Sequence, residues 1–180
     1  GNRTALDVEI KYAAWAESVL APLSEAQVQK MLLTEYGGMN EVFADLYADT
    51  GNKRWLDLSH RFEHVAFTEA LKRHQDNLAG KHGNCQIPKL IGSAARYGYT
   101  GDPADIVAAS FFWARVVQHH TYATGGHGLA EYFGMPDHDD RWRAAMTEFA
   151  GRPARLWSPH RDATTSGEEP LILSEFGGWG

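Results

Sequence analysis

The feature that most constrains this chain is a repeat of fifty residues. "GNRTALDVEIKYAAW" opens at Gly1, "GNKRWLDLSHRFEHV" at Gly51 and "GDPADIVAASFFWARV" at Gly101. The approach to each start repeats as well, with "LYADTGN" ending at Asn52 and "RYGYTGD" at Asp102. A period of this length marks a supersecondary unit that buries its apolar face only against its neighbours. Gly151 keeps the interval, but "FAGRPARLW" lacks the Thr and the aromatic, so that match is read as coincidence.

Each unit follows one plan. A Thr-Gly-Asn/Asp turn leads into a helical pattern, and in the third unit Asp102-Pro103 supplies an N-cap followed by a Pro at the first helical position. In the second unit Trp55, Leu58, Phe62, Val65 and Ala66 recur at spacings of three and four, which predicts one helix through them. A polar, Gly-containing loop follows ("RHQDNLAGKHGN", "HHTYATGGHG"). A second helical pattern ("MNEVFADLYADTG", "CQIPKLIGSAARYGYTG") then returns to the next turn. Strand signals are nearly absent. The expected fold class is all-α, an array of helical hairpins over residues 1–150, with an irregular tail over 151–180.

Hairpin arrays gather equivalent loops on one rim. One period before Glu131 lies Lys81, beside His82; two periods before lies Met31, just ahead of Glu35. The polar residues of "GKHGNCQ" and of "HHTYATGGHGLAEYFG" are therefore expected at one mouth, although any repeat protein brings its loops together.

Composition sets limits on partners. The 180 residues are enough for one domain with a real core, and 43% hydrophobic content with 12% aromatics is globular. A net charge of -6 with Lys and Arg thinly spread argues against nucleic acid, which needs a clustered basic face. No apolar run approaches the ~20 residues that cross a bilayer. Cys85 is the single cysteine, which excludes an internal disulfide and a multi-cysteine zinc site. No targeting pattern assigns a compartment, and the start at Gly1 without Met suggests a fragment or processed product.

Three segments, "LLTEYGGMNEVFADLYADTG", "GKHGNCQIPKLIG" and "HHTYATGGHGLAEYFGMPD", occur in an order and spacing that resembles glycoside hydrolase family 127, the β-L-arabinofuranosidase-like enzymes. The resemblance covers about residues 1–137. It implies an (α/α)6 toroid, of which three hairpins are about half, since six at this period need roughly 300 residues. It implies a carbohydrate partner, specifically a terminal L-arabinofuranoside or a related plant-polysaccharide sugar. In "ATGGHGLAEYFG" it gives Glu131 the role of general acid/base, and in "GKHGN" it makes His82 a sugar contact. Asn40 and Glu41 of "GGMNE", with Tyr122 and His127, join as candidate substrate contacts.

Departures from the family pattern are equally plain. Its nucleophile is a cysteine held near a zinc ion by further cysteines and a glutamate, and no cysteine follows Glu131 here. Cys85 stands where relatives carry a small hydroxyl residue, so it is not read as that nucleophile. Zinc is expected in complete relatives; neither metal nor cofactor is assigned to this chain. The segment "PLILSEFGGWG" resembles instead the nucleophile strand of family 2 glycosidases, which would make Glu175 a nucleophile by analogy.

Structural readings stand beside each of these roles. Glu131 could equally cap a helix or face solvent, and His82 could bond a loop carbonyl. His119, His120 and His127 are not expected to converge on a metal, because neighbouring histidines at a helix end point apart. "DHDD" (137–140) reads as a solvated turn. Gly37-Gly38 reads first as a helix start and second as a place for close backbone approach. Trp55, Phe111, Phe112 and Trp113 are expected in the core, and Trp15 stays open between core and sugar platform. Two functions from different classes remain: a glycosidase domain carrying the acid/base group, and a non-catalytic helical-repeat module that binds sugar or partners. An open array is also expected to self-associate through an uncovered apolar face, since "SFFWARVV" makes a poor polar cap.

Overall fold

The computed structural model describes residues 1–34, 37–121, 126–127 and 131–137. Over them the chain is all-α, with seven helices and no strand: α1 (Arg3–Leu20), α2 (Glu25–Met31), α3 (Met39–Thr50), α4 (Lys53–Arg61), α5 (Val65–Lys72), α6 (Gly83–Thr100) and α7 (Pro103–His119). The proposed tail, 151–180, lies outside the described residues.

The fifty-residue register is built bond by bond. Asn2, Asn52 and Asp102 each sit at an N-cap and accept from backbone N–H groups of the following turn: Thr4 and Ala5, Arg54, and Ala104. A short side chain with an oxygen satisfies donors that the helix start leaves orphaned. Ahead of the second and third caps, Gly51 (φ 68°) and Gly101 (φ 72°) close α3 and α6 in the left-handed region, donating to the Tyr47 and Tyr97 carbonyls. A residue with a Cβ resists that conformation, which is why glycine stands there. Thr50 and Thr100 finish the joint: each hydroxyl donates to a carbonyl one turn back (2.6 and 2.8 Å) and accepts from the capping residue's N–H.

α3 meets α4 and α6, α6 meets α7, and α5 meets α7. One apolar cluster joins Ala13, Leu20, Val28, Phe43, Trp55 and Phe62; another joins Phe67, Leu71, Leu90, Phe112 and Phe133. Gly92 lets α6 close on α3: a Cβ there would stand 2.2 Å from Cγ of Asn40. A buried ion network ties α6 to α7 and to the α4–α5 junction. Arg96, fully enclosed, donates to Asp105 (2.7 Å) and Glu63 (2.6 Å), with Ser59 and Ser93 completing its fork.

Two expectations need correction. The helix foreseen from Trp55 through Ala66 is broken: α4 ends at Arg61, Phe62 is its C-cap, and α5 restarts at Val65. The cause is tertiary. Gln29 of α2 donates to the Glu63 carbonyl (2.8 Å) and accepts from the Val65 N–H (3.0 Å), so one amide serves both groups that the interruption frees. Trp113, expected in the core, is 70% exposed, while Trp55 and Phe112 are buried and Phe111 is half-buried. Its register neighbour Phe112 occupies the inward face instead. Trp15 is exposed, its ring tilted at 37° to that of Tyr12 with centroids 5.3 Å apart.

Candidate active site

Two loops meet at the end of α6. The segment Gly80–Gly83 runs antiparallel to Glu131–Phe133: Gly80 N–H donates to the Phe133 carbonyl (2.8 Å), Phe133 N–H to that of Lys81 (2.9 Å), and Gly83 N–H to that of Glu131 (2.8 Å). The convergence expected of equivalent loops is therefore present for the second and third units. Glu35, from the first, lies outside the described residues, as does Tyr122.

This pairing sets two side chains against each other. His82, the N-cap of α6, places Nε2 2.8 Å from Oε2 of Glu131. Tyr132 meets the His82 ring edge-on at 5.1 Å. His127 stacks on Phe133 at 5.3 Å, and its Nε2 lies 3.6 Å from where a Cβ on Gly83 would stand. Burial, and then the nearby His120, lower the pKa of His127, so its ring stays neutral more readily than a free histidine. Glu131 itself has φ 69°, a left-handed conformation in a non-glycine residue. Such backbone persists where surrounding bonds over-determine it, and the three loop bonds do so here.

The remaining candidates lie elsewhere. Asn40 is buried between α3 and α6, its side-chain amide donating to the Lys89 carbonyl at 2.7 Å while its backbone carbonyl accepts from the Ser59 hydroxyl. Glu41 is in the first turn of α3, its carboxylate turned back toward Gly38, and burial followed by Asp45 raises its pKa. Gly38 caps the start of α3, the first of its two readings. The histidines at the end of α7 do part company: His119 Nδ1 pairs with Asp137 (2.8 Å), whereas His120 contacts Asp76 (2.9 Å) and the Gly134 carbonyl (3.1 Å).

Sequence reasoning missed three features. Asp76 and His120 form a strut that holds the loop just past Glu131; only the polar loop "RHQDN" hinted at it. Lys89 is buried with Nζ 2.9 Å from Nδ1 of His64 and over the Phe67 ring. Its pKa falls to about 8, chiefly through burial, and that of His64 falls to about 4 through burial and then the Lys89 charge. The third is Cys85, whose Sγ lies 3.5 Å from Nδ1 of His82.

The model of one family matches this chain: beta-L-arabinofuranosidase, GH127 catalytic domain, over residues 1–148. The chain belongs to that family. The match spans all seven helices and both loops of the site, so the GH127 assignment covers every residue placed above. No curated protein is matched by the chain. A thiolate zinc set of the kind expected in this family does not fit the residues present, since Cys85 is the sole cysteine. Among the described residues, His60, Glu63 and Asp105 bring ligand atoms within 4.8 Å of one another. Both carboxylates already hold Arg96, which leaves that cluster an ion-pair network.

Proposed function

We propose that this GH127 domain supplies the acid/base side of a glycosidase acting on terminal L-arabinofuranosides or related plant-polysaccharide sugars. Glu131 protonates the leaving oxygen, and His82 holds its carboxylate and contacts the sugar. The observation that carries the reading is the 2.8 Å His82–Glu131 contact on a backbone pairing that fixes both residues. A glycosidase acid must sit within hydrogen-bond reach of the glycosidic oxygen, and the Tyr132 ring, edge-on to His82, borders the pair. His127 adjoins the same pairing, and Tyr122 and Glu41 stay as proposed substrate contacts; Asn40, buried against α6, serves the packing of α3 instead.

Hydrolysis needs a second group across the anomeric carbon. The described site offers one carboxylate, which favours a second reading for the isolated 180 residues: sugar binding without turnover. Titration of the chain with methyl β-L-arabinofuranoside tests both. Binding that survives Glu131→Gln and is lost in His82→Ala supports the site, and no binding at all sinks it. In an enzyme completed by a nucleophile-bearing half, Glu131→Gln is expected to cut turnover of poor leaving groups by ~10²–10⁴ and of activated aryl glycosides far less. Equal losses for both would remove the acid role. We also infer that the chain associates with itself through its uncovered apolar faces.

A further inference from the structure

The site contains a second chemistry that acid/base catalysis does not use. Cys85 Sγ lies 3.5 Å from Nδ1 of His82, and the other ring nitrogen of His82 lies 2.8 Å from the Glu131 carboxylate. A thiol, a base within reach of it and a carboxylate that orients the base form the arrangement that activates nucleophiles. Two further features point the same way. Cys85 is the third residue of α6, an 18-residue helix whose N-terminal end carries partial positive charge. Lys89, one turn on, interacts electrostatically with Cys85. Cys85 is half-buried, neither fully enclosed nor exposed. The fold places these residues independently of any sugar: His82 and Cys85 share the first turn of α6, and Glu131 is brought in by the Gly80–Gly83 pairing.

We propose that Cys85, His82 and Glu131 form a thiol–imidazole–carboxylate relay that makes Cys85 a covalent modification site for small, soft electrophiles. In the step, the thiol proton passes to Nδ1 of His82, and the resulting imidazolium is held by the Glu131 carboxylate. The thiolate attacks the electrophilic carbon, the S–C bond forms, and the leaving group departs with its electron pair. Iodoacetamide loses iodide; an aldehyde has no leaving group, and its carbonyl oxygen takes the proton to give a hemithioacetal. Neither reaction needs an oxidant or a metal. The inference stands on the contacts alone, so it survives if the sugar reading fails.

The test uses the whole chain, whose one cysteine makes labelling unambiguous. Iodoacetamide alkylation is followed by mass spectrometry across mildly acidic to alkaline pH, with the same chain unfolded in guanidinium chloride as the reference thiol. A free thiol is only a few per cent thiolate at neutral pH. Thiolate gained through the relay, less the reactivity lost with basicity, predicts folded Cys85 reacting about tenfold faster than the reference at neutral pH. The advantage closes as alkaline pH ionises both. His82→Gln is expected to abolish the advantage and Glu131→Gln to reduce it, with helix content checked by circular dichroism. A folded rate at or below the unfolded one overturns the proposal. So does an undiminished advantage in a folded His82→Gln variant. If that variant does not fold, the wild-type profile decides: a rise well below the pH at which the reference thiol titrates supports the relay, and coincident profiles refute it.

Discussion

Lys89 is a buried cation resting on a neutral histidine, and a group so placed leaves a mark on stability. Its folded pKa is about 8, against an ordinary 10.5, and burial is the main cause. Between those values the unfolded chain binds a proton that the folded chain does not, so folding stability rises with pH across that window. Urea melts should show the wild type gaining stability from about pH 8 upward. Lys89→Met, which keeps the length and drops the charge, should be flat there; a wild-type profile equally flat would refute the account. His64 has the same sign at lower pH: its folded pKa near 4 means stability falls as pH drops below the ordinary 6.5. Glu131 gives a residue-scale test of another kind. Because φ is 69°, Glu131→Gly should be more stable than Glu131→Ala by about 1 kcal/mol, although both lose the carboxylate. Thermal melts of the two variants settle the order.

At the scale of elements, most boundaries could be read in the sequence because they rest on local chemistry. The Thr50-Gly51-Asn52 and Thr100-Gly101-Asp102 joints draw their bonds from within a turn on either side, so the residue types alone announce them. The break between α4 and α5 could not be read that way. Phe62 and Val65 keep helical spacing, and what interrupts the helix is Gln29, more than thirty residues away. That dependence is testable: Gln29→Ala removes both bonds, which water can partly replace, and should cost about 0.5–1.5 kcal/mol, with early hydrogen exchange at Phe62–Val65. The site divides likewise. The meeting of His82 with Glu131 follows from the period, whereas Cys85 reaches His82 only through the geometry of the first turn of α6. Asn40 was legible as a polar residue in a motif, but its burial against Gly92 was not.

Across the whole molecule, α1 and α7 are among the helices that expose apolar side chains. On α1 the exposed residues Val8, Tyr12, Trp15 and Val19 follow four-three-four spacing along one stripe, and on α7 Trp113 and Val117 are exposed. In the fifty-residue register Val8 and Tyr12 correspond to Leu58 and Phe62, and to Ala108 and Phe112, all four of which are buried against a neighbouring unit. Val8 and Tyr12 thus stand at register positions that are buried in the other two units, whereas Trp15 and Val19 correspond to the exposed Val65 and the half-buried Glu69. Sedimentation should find concentration-dependent association, and Tyr12→Lys with Trp15→Glu should suppress it without changing helix content. A monomer at all concentrations would show that single exposed side chains, common on any surface, explain the stripe.

The Thr-Gly-Asn/Asp joint has a consequence for how such a chain is inherited. Its hydroxyl, its left-handed glycine and its capping side chain satisfy one another without help from the rest of the fold. A recombination event that cuts between one glycine and the next therefore carries off a module with both of its ends already finished. Copies of that module can be spliced in tandem without designing a new linker. A protein assembled this way lengthens in whole turns of the array, by duplication rather than by point change.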